Sequence, residues 1–294
     1  MENKILNNII CYNWFGAIAD HCLDFSDSEY VPIGVTKLHQ KTLNPEKVKE
    51  GDIIFVKTDY VYHGAFQNNI LPQISEPFIL ITGGSSYQVS QGHPIDSILT
   101  NPLVKKWYCT NAPIGISKKI IPLPIGFQER ERKGGDQKLI KKLQREKTPF
   151  KNKENKVFLP YHTFGTNPQR QKLFKHLSSL PFVETQHDSL EWAEYMKALD
   201  RYKFTICLEG SGPDVHRNYE TLLMNSVPIN ITNPIKALFD YHDLCGIFLN
   251  SWGELTQEYF KDLGEQNFKF ENSDNFLNIS YHSQQINEDR GISR

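Results

Sequence analysis

The sequence of residues 202–231, YKFTICLEGSGPDVHRNYETLLMNSVPINI, predicts a strand, a glycine-containing turn, a helix and a second strand in succession. The apolar run at 204–208 is typical of a buried parallel strand. Apolar residues then recur at helical spacing over 214–224, and a second apolar run follows at 227–231. This order of elements predicts one repeat of a parallel α/β sheet.

Two charged residues of this stretch indicate a binding role. Arg217 and Glu220 are three residues apart, so they share one face of the predicted helix near its N-terminus. Backbone N–H groups at a helix N-terminus, together with an arginine, suit a diphosphate. A carboxylate one turn further along can accept from both hydroxyls of a ribose. The alternative is that the two side chains pair on an exposed helix face, which contributes roughly a few tenths of a kcal/mol.

The same stretch resembles the signature of exostosin-like glycosyltransferases. The matching runs are GPDVHR at 212–217, ETLL at 220–223 and VPI at 227–229. The family pattern is a strand, a glycine turn, Arg-x-x-Glu-(Ala/Thr)-Leu and a small-residue turn before (Ile/Val)-Pro. Ser226 stands where family members usually carry glycine. The segments LTNPLVKKWYCTNAP at 99–113 and KIIPLPIGF at 119–127 are also similar to the family.

The resemblance implies an α/β protein of the GT-B fold, in which two Rossmann-like domains with mostly parallel sheets face each other across a cleft. The signature would lie on the second, nucleotide-binding domain. The implied activity is an inverting transfer of a sugar from a nucleotide-diphosphate donor to a glycan hydroxyl. The expected donor is a UDP-sugar, with UDP-xylose as one candidate. The chain is most similar to small soluble members from bacteria or large DNA viruses.

Composition excludes several other classes. With 294 residues, 39% hydrophobic and 23% charged, the chain has the make-up of a globular protein with room for two domains. A net charge of −1 does not favour a nucleic acid as partner. The five cysteines are dispersed, which indicates a reducing compartment and neither a disulfide framework nor a zinc site. No signal-peptide pattern and no transmembrane run are predicted, so we expect a soluble, cytoplasmic protein.

Predicted strands and helices alternate in both halves of the chain, which predicts parallel sheets. In the first half, strands are predicted at 52–57, 77–82, 107–109 and 120–126, and helices at 66–74 and 102–106. Residues 129–156 are rich in Lys, Arg and Glu, as is typical of an exposed helix between linkers. We therefore predict an acceptor-side domain at 1–130, a charged linker at 131–155, a nucleotide-sugar-binding domain at 156–275, and at 276–294 a C-terminal helix that returns to the first domain and a polar tail.

Donor-binding candidates lie at predicted strand ends of the second domain, where ligands of open α/β sheets bind. They are Glu209, Gly210, Ser211, Gly212, Asp214, Arg217 and Glu220 in the signature, and Thr166, Asn167 and Arg170 after the first strand of the domain. The glycine loop could present backbone N–H groups to phosphate, and an arginine fork bonds two oxygens at once. Arg170 could equally face solvent, and Glu209 could bind a sugar or cap the next helix.

An inverting transferase also needs a base for the acceptor hydroxyl, which we expect from the first domain. Asp59, at the carboxyl end of the strand at 52–57, is the first candidate, and His63 is the second. Asp20 and His21 are third. Asp59 could instead cap a helix, and His63 could be a loop histidine.

Metal and acceptor sites are less marked. No Asp-x-Asp motif ends a predicted strand, so we expect no metal cofactor, with Arg217, Arg170 and the helix N-terminus supplying positive charge. Tyr87, Trp107 and Asn111 lie at strand ends of the first domain and could line the acceptor side, although a core role for Trp107 is also open.

Two other functions remain open. Tyr202-Lys203-Phe204, with Glu209 and Glu220, also resembles the donor block of GDP-fucose-dependent fucosyltransferases, although that family has a Glu-Lys pair at the helix where this chain has Arg217 and Glu220. A non-catalytic nucleotide- or glycan-binding protein on the same fold is the third interpretation. It would keep Arg217 and Glu220 but have no base in the first domain.

Overall fold

The chain divides into two compact α/β units in a computed structural model. Unit 1 comprises Met1–Ile125 and Ile279–Arg294, and unit 2 comprises Gly126–Asn278. The structure describes residues 8–11, 14–24, 43–88, 95–112, 115, 117–129, 132–165 and 167–291. Within this described part of the chain, no helix has both the length and the apolar character that a membrane span requires.

Unit 1 is built on a five-stranded parallel sheet whose strands lie in chain order. The strands are β1 (His21–Leu23), β2 (Asp52–Lys57), β3 (Phe78–Gly83), β4 (Val104–Thr110) and β5 (Ile120–Leu123). The helices are α1 (Phe15–Ile18), α2 (Thr58–Tyr62) and α3 (Asp96–Thr100), with a π-helical turn at Phe66–Ile70 and 3-10 turns at Pro45–Lys47 and Leu71–Gln73. Strands β2 and β3 are apolar along nearly their whole length because both faces of the sheet are covered.

Most strand predictions for unit 1 are confirmed, but the helix predicted at 102–106 is wrong. Val104 already belongs to β4 and pairs with Phe78 of β3. Burial alternates from Val104, which is buried, to Lys105, which is exposed, so the segment has a strand face rather than a helical stripe. Pairing with a long neighbouring strand outweighs the local preference for a short helix.

Unit 2 contains a second five-stranded parallel sheet, in the order β10-β9-β8-β6-β7. Its strands are β6 (Glu154–Leu159), β7 (Val183–Thr185), β8 (Tyr202–Ile206), β9 (Val227–Ile231) and β10 (Ile247–Leu249). Its helices are α4 (Gln137–Glu146), α5 (Gln169–Leu177), α6 (Trp192–Asp200), α7 (His216–Leu223), α8 (Ile235–Tyr241), α9 (Gln257–Glu265) and α10 (Glu271–Phe276), with 3-10 turns at Lys133–Gly135, Phe150–Asn152 and Trp252–Glu254. The strand–helix–strand order predicted for 202–231 is confirmed as β8, α7 and β9, and so is the α/β class with two Rossmann-like parallel sheets.

The charged segment predicted as a linker at 131–155 is part of unit 2. Its central residues form α4, which begins after Asp136 accepts hydrogen bonds from the backbone N–H groups of Lys138 and Leu139 at 2.9 and 3.2 Å. Ile140 and Leu143 of this helix are buried. The charges occupy the solvent side of an amphipathic helix, which composition alone does not distinguish from a linker.

The strand order of unit 2 creates a topological switch point. After β6 the chain passes to the edge strand β7, and it then returns to β8 on the other side of β6. The loops that follow β6 and β8 therefore leave the sheet in opposite directions. In open α/β sheets of this kind, ligands bind in the crevice outside the carboxyl ends of the two strands at such a point.

The last helix, α11 (Ile279–Asp289), packs on unit 1. Ile286 is fully buried, and Tyr108 donates a hydrogen bond to Oδ2 of Asp289 at 2.6 Å. Arg290 directly follows the last residue of α11, and its Nη2 lies 3.0 Å from Asp20 Oδ2 and 3.5 Å from Asp52 Oδ1. These contacts stabilise unit 1 by joining its chain end to the start of β2.

Candidate functional site

Arg217, in the first turn of α7, is half-buried and contacts the loop after β6. Its Nη2 donates to the carbonyl oxygen of Tyr161 at 3.0 Å, its Nη1 contacts Nε2 of His162, and its Nε donates to the hydroxyl of Tyr195 at 3.2 Å. Burial lowers the pKa of Arg217, but Tyr195 and Glu220 outweigh it, so the pKa is raised and the guanidinium is charged. The residue thus joins the loop after β6 to the helix after β8.

His162 is buried and held in its neutral form. Its Nδ1 lies 2.6 Å from the carbonyl oxygen of Pro160, so Nδ1 carries the proton and Nε2 accepts from Arg217. Burial, and then the charges of Arg217 and Arg170, hold the pKa of His162 far below its usual range. His162 therefore orients Arg217 without adding a charge.

Glu220 and Arg217 are joined through Tyr195 of α6. The Tyr195 hydroxyl donates to Oε2 of Glu220 at 2.9 Å and accepts from Nε of Arg217, and Trp192 Nε1 donates to Oε1 of Glu220 at 2.8 Å. Glu220 is 5% exposed. The alternative of a simple pair on an exposed helix face is wrong, because both carboxylate oxygens lie in a buried hydrogen-bonded network.

Arg170 of α5 holds the two switch-point loops together. Its Nη1 donates to Thr163 O at 3.1 Å in the loop after β6, and its Nη2 and Nε donate to Leu208 O at 2.9 Å and Glu209 O at 2.6 Å in the loop after β8. Burial, and then the charge of Arg217, lower its pKa to about 10. The guanidinium thus faces backbone carbonyl groups and not solvent, which corrects the solvent-facing alternative.

Asn167 and Gly210 complete this contact between the loops. Asn167 Nδ2 lies 3.5 Å from the Glu209 carbonyl oxygen, and its Oδ1 accepts from the backbone N–H of Gln169 at 3.0 Å. A Cβ atom at Gly210 would lie 3.2 Å from Nη2 of Arg170, which is closer than ordinary contact. Glycine at this position therefore allows the guanidinium to approach the loop.

Of the remaining donor candidates, some make hydrogen bonds within the fold and others lie at the surface of unit 2. Oε1 of Glu209 accepts from Asn233 Nδ2 at 2.6 Å, and buried Asp214 accepts from Tyr219 and from Asn218. Ser211 is exposed, and the carbonyl of Gly212 accepts from Gly210 N at 3.2 Å. Thr166 lies outside the described residues. Asp214 supports α7 from within the fold, whereas Ser211 and Gly212 border the solvent.

The N-terminus of α7 adds donors beside Arg217. Its N-cap residue, Val215, is extended and provides no side-chain cap. The adjacent His216 bonds through Nδ1 to the carbonyl oxygen of Gly126 at 2.7 Å, and Gly126 has a φ of 69° that suits glycine. Two guanidinium groups and the amino end of a helix thus meet at the switch point of unit 2, which favours an anionic ligand.

An open cavity of about 570 Å³ adjoins this cluster at the carboxyl ends of β6 and β7. Its lining includes Phe164, Phe174 and His187, together with Lys172 and Lys175. Phe174 connects it to the arginine cluster, because its ring centroid lies 6.4 Å from that of His162. The cavity is of the size of a small-molecule site and has both aromatic and cationic walls.

The catalytic candidates of unit 1 fall into two groups. Asp59 and His63 lie at the carboxyl end of β2, where Asp59 Oδ2 is 3.4 Å from Nζ of Lys57 and His63 is exposed. Burial lowers the pKa of Lys57, and the neighbouring Asp59 opposes this. The third candidates are misplaced for catalysis at this edge, because Asp20 accepts from Ile53 N at 2.9 Å near the amino end of β2.

His21 lies with Asp20 at that amino end. Its Nε2 is 2.9 Å from Oδ2 of Asp52, the first residue of β2. Trp107 is fully buried and donates to Thr82 Oγ1 at 2.9 Å, so its core role is the one observed. Among the described residues, no group of three His, Cys, Asp or Glu side chains is placed to share a metal ion.

Sequence reasoning missed the side chains that contact Arg217 and the two carboxylates, Glu209 and Glu220. Trp192 and Tyr195 lie on an amphipathic helix and give no local signal of contact with Glu220. Asn233 lies in the loop after β9 and contacts Glu209. The position of Asn233 at the carboxyl end of β9, two residues after the strand, is the one signal that could have identified it.

Comparison with known proteins gives little beyond this geometry. No family model matches the chain, and no curated protein matches it. Among solved structures, a GtfA/B complex is similar over 83% of this chain, with 10% identity and a TM-score of 0.38, and the chain spans 58% of that one. UDP-GlcNAc 2-epimerase from Methanocaldococcus jannaschii is similar over 80% of this chain and 76% of its own, with 12% identity and a TM-score of 0.35. Likenesses this distant carry no argument about activity.

Proposed function

We propose that the protein is a glycosyltransferase that moves a sugar from a nucleotide-diphosphate donor to a glycan hydroxyl. The observation that carries the proposal is the meeting of Arg217, the N-terminus of α7 and the carbonyl-bound Arg170 at the switch point of unit 2. His162 is neutral and adds no charge, so the positive charge of the site comes from the two guanidinium groups, and a diphosphate is a ligand whose charge suits them.

The donor is proposed to lie across the carboxyl ends of β6 and β8. Arg217 and the first backbone N–H groups of α7 would bind the diphosphate, and the cavity beside Phe164 would accept the nucleoside. Glu209, whose Oε1 accepts from Asn233, is the carboxylate that we propose for the donor sugar or ribose. Because the protein supplies the positive charge, we propose that transfer needs no metal.

The proposed reaction is a single displacement at the anomeric carbon. The acceptor oxygen forms a bond to that carbon while the bond to the diphosphate oxygen breaks, and the electron pair leaves with the nucleoside diphosphate. The hydroxyl proton passes to a base, for which Asp59 is the first candidate and His63 the second. Arg217 stabilises the negative charge that develops on the leaving group. Displacement from the opposite side inverts the anomeric configuration.

UDP is the proposed nucleotide, with GDP as the alternative suggested by Tyr202-Lys203-Phe204. In the structure Tyr202 is buried and stacks on Phe158, with ring centroids 5.2 Å apart, and Phe204 is fully buried. Two residues of that block therefore pack the fold, which removes much of the reason for a GDP-fucose donor. UDP-xylose remains one candidate for the whole donor.

Nucleotide binding tests the proposal directly. We would measure thermal shifts with UDP, GDP, CMP, dTDP and ADP at millimolar concentration, first with EDTA and then with manganese, because a ligand that binds the folded state stabilises it. We expect a shift with UDP that EDTA leaves unchanged and that Arg217→Ala abolishes. Arg201→Ala is the matched control, because Arg201 is an exposed arginine of the same unit that pairs with Glu154 at 3.1 Å. No shift with any nucleotide would overturn the donor site, and a shift with GDP alone would favour the fucosyltransferase.

A second comparison separates a transferase from a binding protein. Asp59→Asn is expected to retain the UDP shift, because Asp59 belongs to unit 1 and the donor site to unit 2, and to lose sugar transfer measured as release of nucleoside diphosphate. Transfer that survives in both Asp59→Asn and His63→Gln would remove both residues as bases. Nucleotide binding without release under any acceptor tested would favour the non-catalytic interpretation.

A further inference from the structure

Three aromatic rings form a cluster at the carboxyl edge of the unit 1 sheet. Tyr62 and His63 follow β2, and Tyr87 follows β3. The rings of Tyr62 and Tyr87 are stacked, with centroids 4.3 Å apart and planes 14° from parallel. The ring of His63 stands edge-on to both, at 5.1 Å from Tyr62 and 5.7 Å from Tyr87. We call these three residues the aromatic platform.

The aromatic platform lies at the surface of the unit. Tyr87 is 39% exposed, His63 is exposed, and Tyr62 is half-buried. Aromatic rings of this size usually bury most of their area in the protein. A group of such rings at the surface therefore often marks a binding site. A stacked pair also has few accessible rotamers, so its outer face is presented in one orientation.

Two hydrogen bonds hold the loop that carries Tyr87. The backbone N–H of Tyr87 donates to Oγ of Ser85 at 3.2 Å, and the Ser85 carbonyl oxygen accepts from Asn111 Nδ2 at 3.4 Å. Asn111, the first residue after β4, has a φ of 50°, and Gly84 has a φ of 70°. Left-handed backbone at a residue other than glycine is strained, and it persists where surrounding structure requires it, often at ligand sites.

We propose that the aromatic platform binds the acceptor glycan by stacking against the C–H face of a pyranose ring. The ring hydrogens of such a face carry small positive charge and pack on the negative face of an aromatic ring, while the hydroxyls at the ring edge meet the polar ends of tyrosine and histidine. The suitable acceptor is a sugar whose hydroxyls are mostly equatorial, since an axial hydroxyl interrupts the C–H face.

This inference rests on the proposed function for its meaning in catalysis. Asp59, the first candidate for the base, lies on α2 one turn before the platform residues Tyr62 and His63, and His63 N donates to the Asp59 carbonyl oxygen at 3.0 Å. A pyranose on the platform would therefore place its hydroxyls near the residue proposed to take the proton. Stacking would fix the sugar ring, and the carboxylate would select which hydroxyl reacts.

Saccharide binding to the full chain tests the platform without requiring turnover. The probes are cellobiose, lactose and methyl β-D-xylopyranoside, with uridine as a comparison, and the readout is saturation-transfer NMR with titration. We expect transfer to be strongest at the ring C–H protons of at least one saccharide. Tyr87→Ala should weaken its binding by about two- to tenfold, in line with the strength of aromatic stacking, whereas Tyr87→Phe should retain it. Tyr241→Ala is the matched control, because Tyr241 is 53% exposed and lies on α8 in unit 2.

The outcomes distinguish this inference from the proposed function. Equal saccharide binding by Tyr87→Ala and the unaltered chain, or no binding of any of the three saccharides, would overturn the platform while leaving the UDP result untouched. Uridine binding that Tyr87→Ala removes, in place of saccharide binding, would also overturn it, because the surface would then recognise bases. Saccharide binding lost in Tyr87→Ala, in a protein that no nucleotide stabilises, would support the platform and end the transferase proposal.

Discussion

Replacing Arg170 with alanine would remove three hydrogen bonds that join the loops after β6 and β8. The guanidinium donates to Thr163 O, Leu208 O and Glu209 O, and Arg170 is 8% exposed. The sequence-based hypothesis gave Arg170 a place on the phosphates of the donor. The geometry instead predicts that its first effect is on the stability of unit 2.

The expected magnitude follows from these contacts. A hydrogen bond to a charged group contributes about 1.5–3 kcal/mol, so three would contribute at most roughly 9 kcal/mol. Water can enter the space left by the side chain and bond the carbonyl groups again, and the repulsion between Arg170 and Arg217 is relieved. We therefore expect Arg170→Ala to lower the free energy of unfolding by about 3–5 kcal/mol. For a unit of about 150 residues this corresponds to a fall in Tm of roughly 10 °C.

Urea denaturation followed through Trp192 and Trp252, both in unit 2, would measure this loss. Hydrogen exchange should also become faster in peptides that cover 160–165 and 207–213, because those loops lose their common partner. Arg170→Lys should recover only part of the stability, since one ammonium group cannot reproduce the planar fork. Arg201→Ala is the control, and we expect it to change stability by less than about 1 kcal/mol because its ion pair is exposed.

The reasoning would be refuted by an Arg170→Ala variant that unfolds at the same urea concentration as the parent. If that variant also lost nucleotide binding, Arg170 would belong on the donor phosphates, as the sequence-based hypothesis had it. If it retained both, the three hydrogen bonds would contribute nothing measurable, and the contact between the loops would depend on Arg217 instead.

Three further predictions follow from buried groups. Burial and the charges of Arg217 and Arg170 keep His162 neutral when folded, whereas in the unfolded chain it takes up a proton below about pH 6.5. The unfolded state then binds more protons, so stability falls as the pH falls, and His162→Gln should reduce this slope in urea denaturation by up to about 1.4 kcal/mol per pH unit. Burial raises the pKa of Cys109 and Cys207 to about 12, and both side chains are buried, so these thiols should react with Ellman's reagent at neutral pH only after unfolding. Tyr195→Phe should lower stability by about 1–3 kcal/mol in the same denaturation assay and weaken any UDP shift, because Glu220 and Arg217 both lose their common partner.

The parts of the fold that the sequence predicts are those with strong local patterns. Strands β2, β3, β8 and β9 are mostly apolar because both faces of the sheet are covered, and their apolar runs could be recognised in the sequence for that reason. The segment at 102–106 was misread because its conformation depends on pairing with β3, a partner more than twenty residues away. Charge density at 131–155 was misread as a linker because Ile140 and Leu143 form only a narrow apolar stripe.

In the candidate site, too, the sequence predicts what depends on local patterns and misses what depends on contacts between distant residues. The helix and its spacing placed Arg217 and Glu220 on one face, and the strand ends placed Asp59 and Arg170 near ligand-binding edges. The spacing of residues in the sequence could not predict that a third residue, Tyr195, lies between Arg217 and Glu220. Tyr195 lies on a different helix, α6. Its hydroxyl donates to Glu220 and accepts from Arg217, so the two charged side chains are joined through a hydrogen-bonded chain instead of a direct ion pair.

Arg170 and Arg217 are both donor-binding candidates in the sequence, but their side chains make different contacts in the fold. Arg170 directs Nε, Nη1 and Nη2 at backbone carbonyl groups, so its charge is used to hold two loops that would otherwise diverge. Arg217 is oriented by His162, Tyr161 and Tyr195 from one side and is only half-buried. Holding two like charges this close is unfavourable, and the charge of Arg217 already lowers the pKa of Arg170. An anion that contacts Arg217 would reduce that repulsion, which is the electrostatic basis of the diphosphate site that we propose.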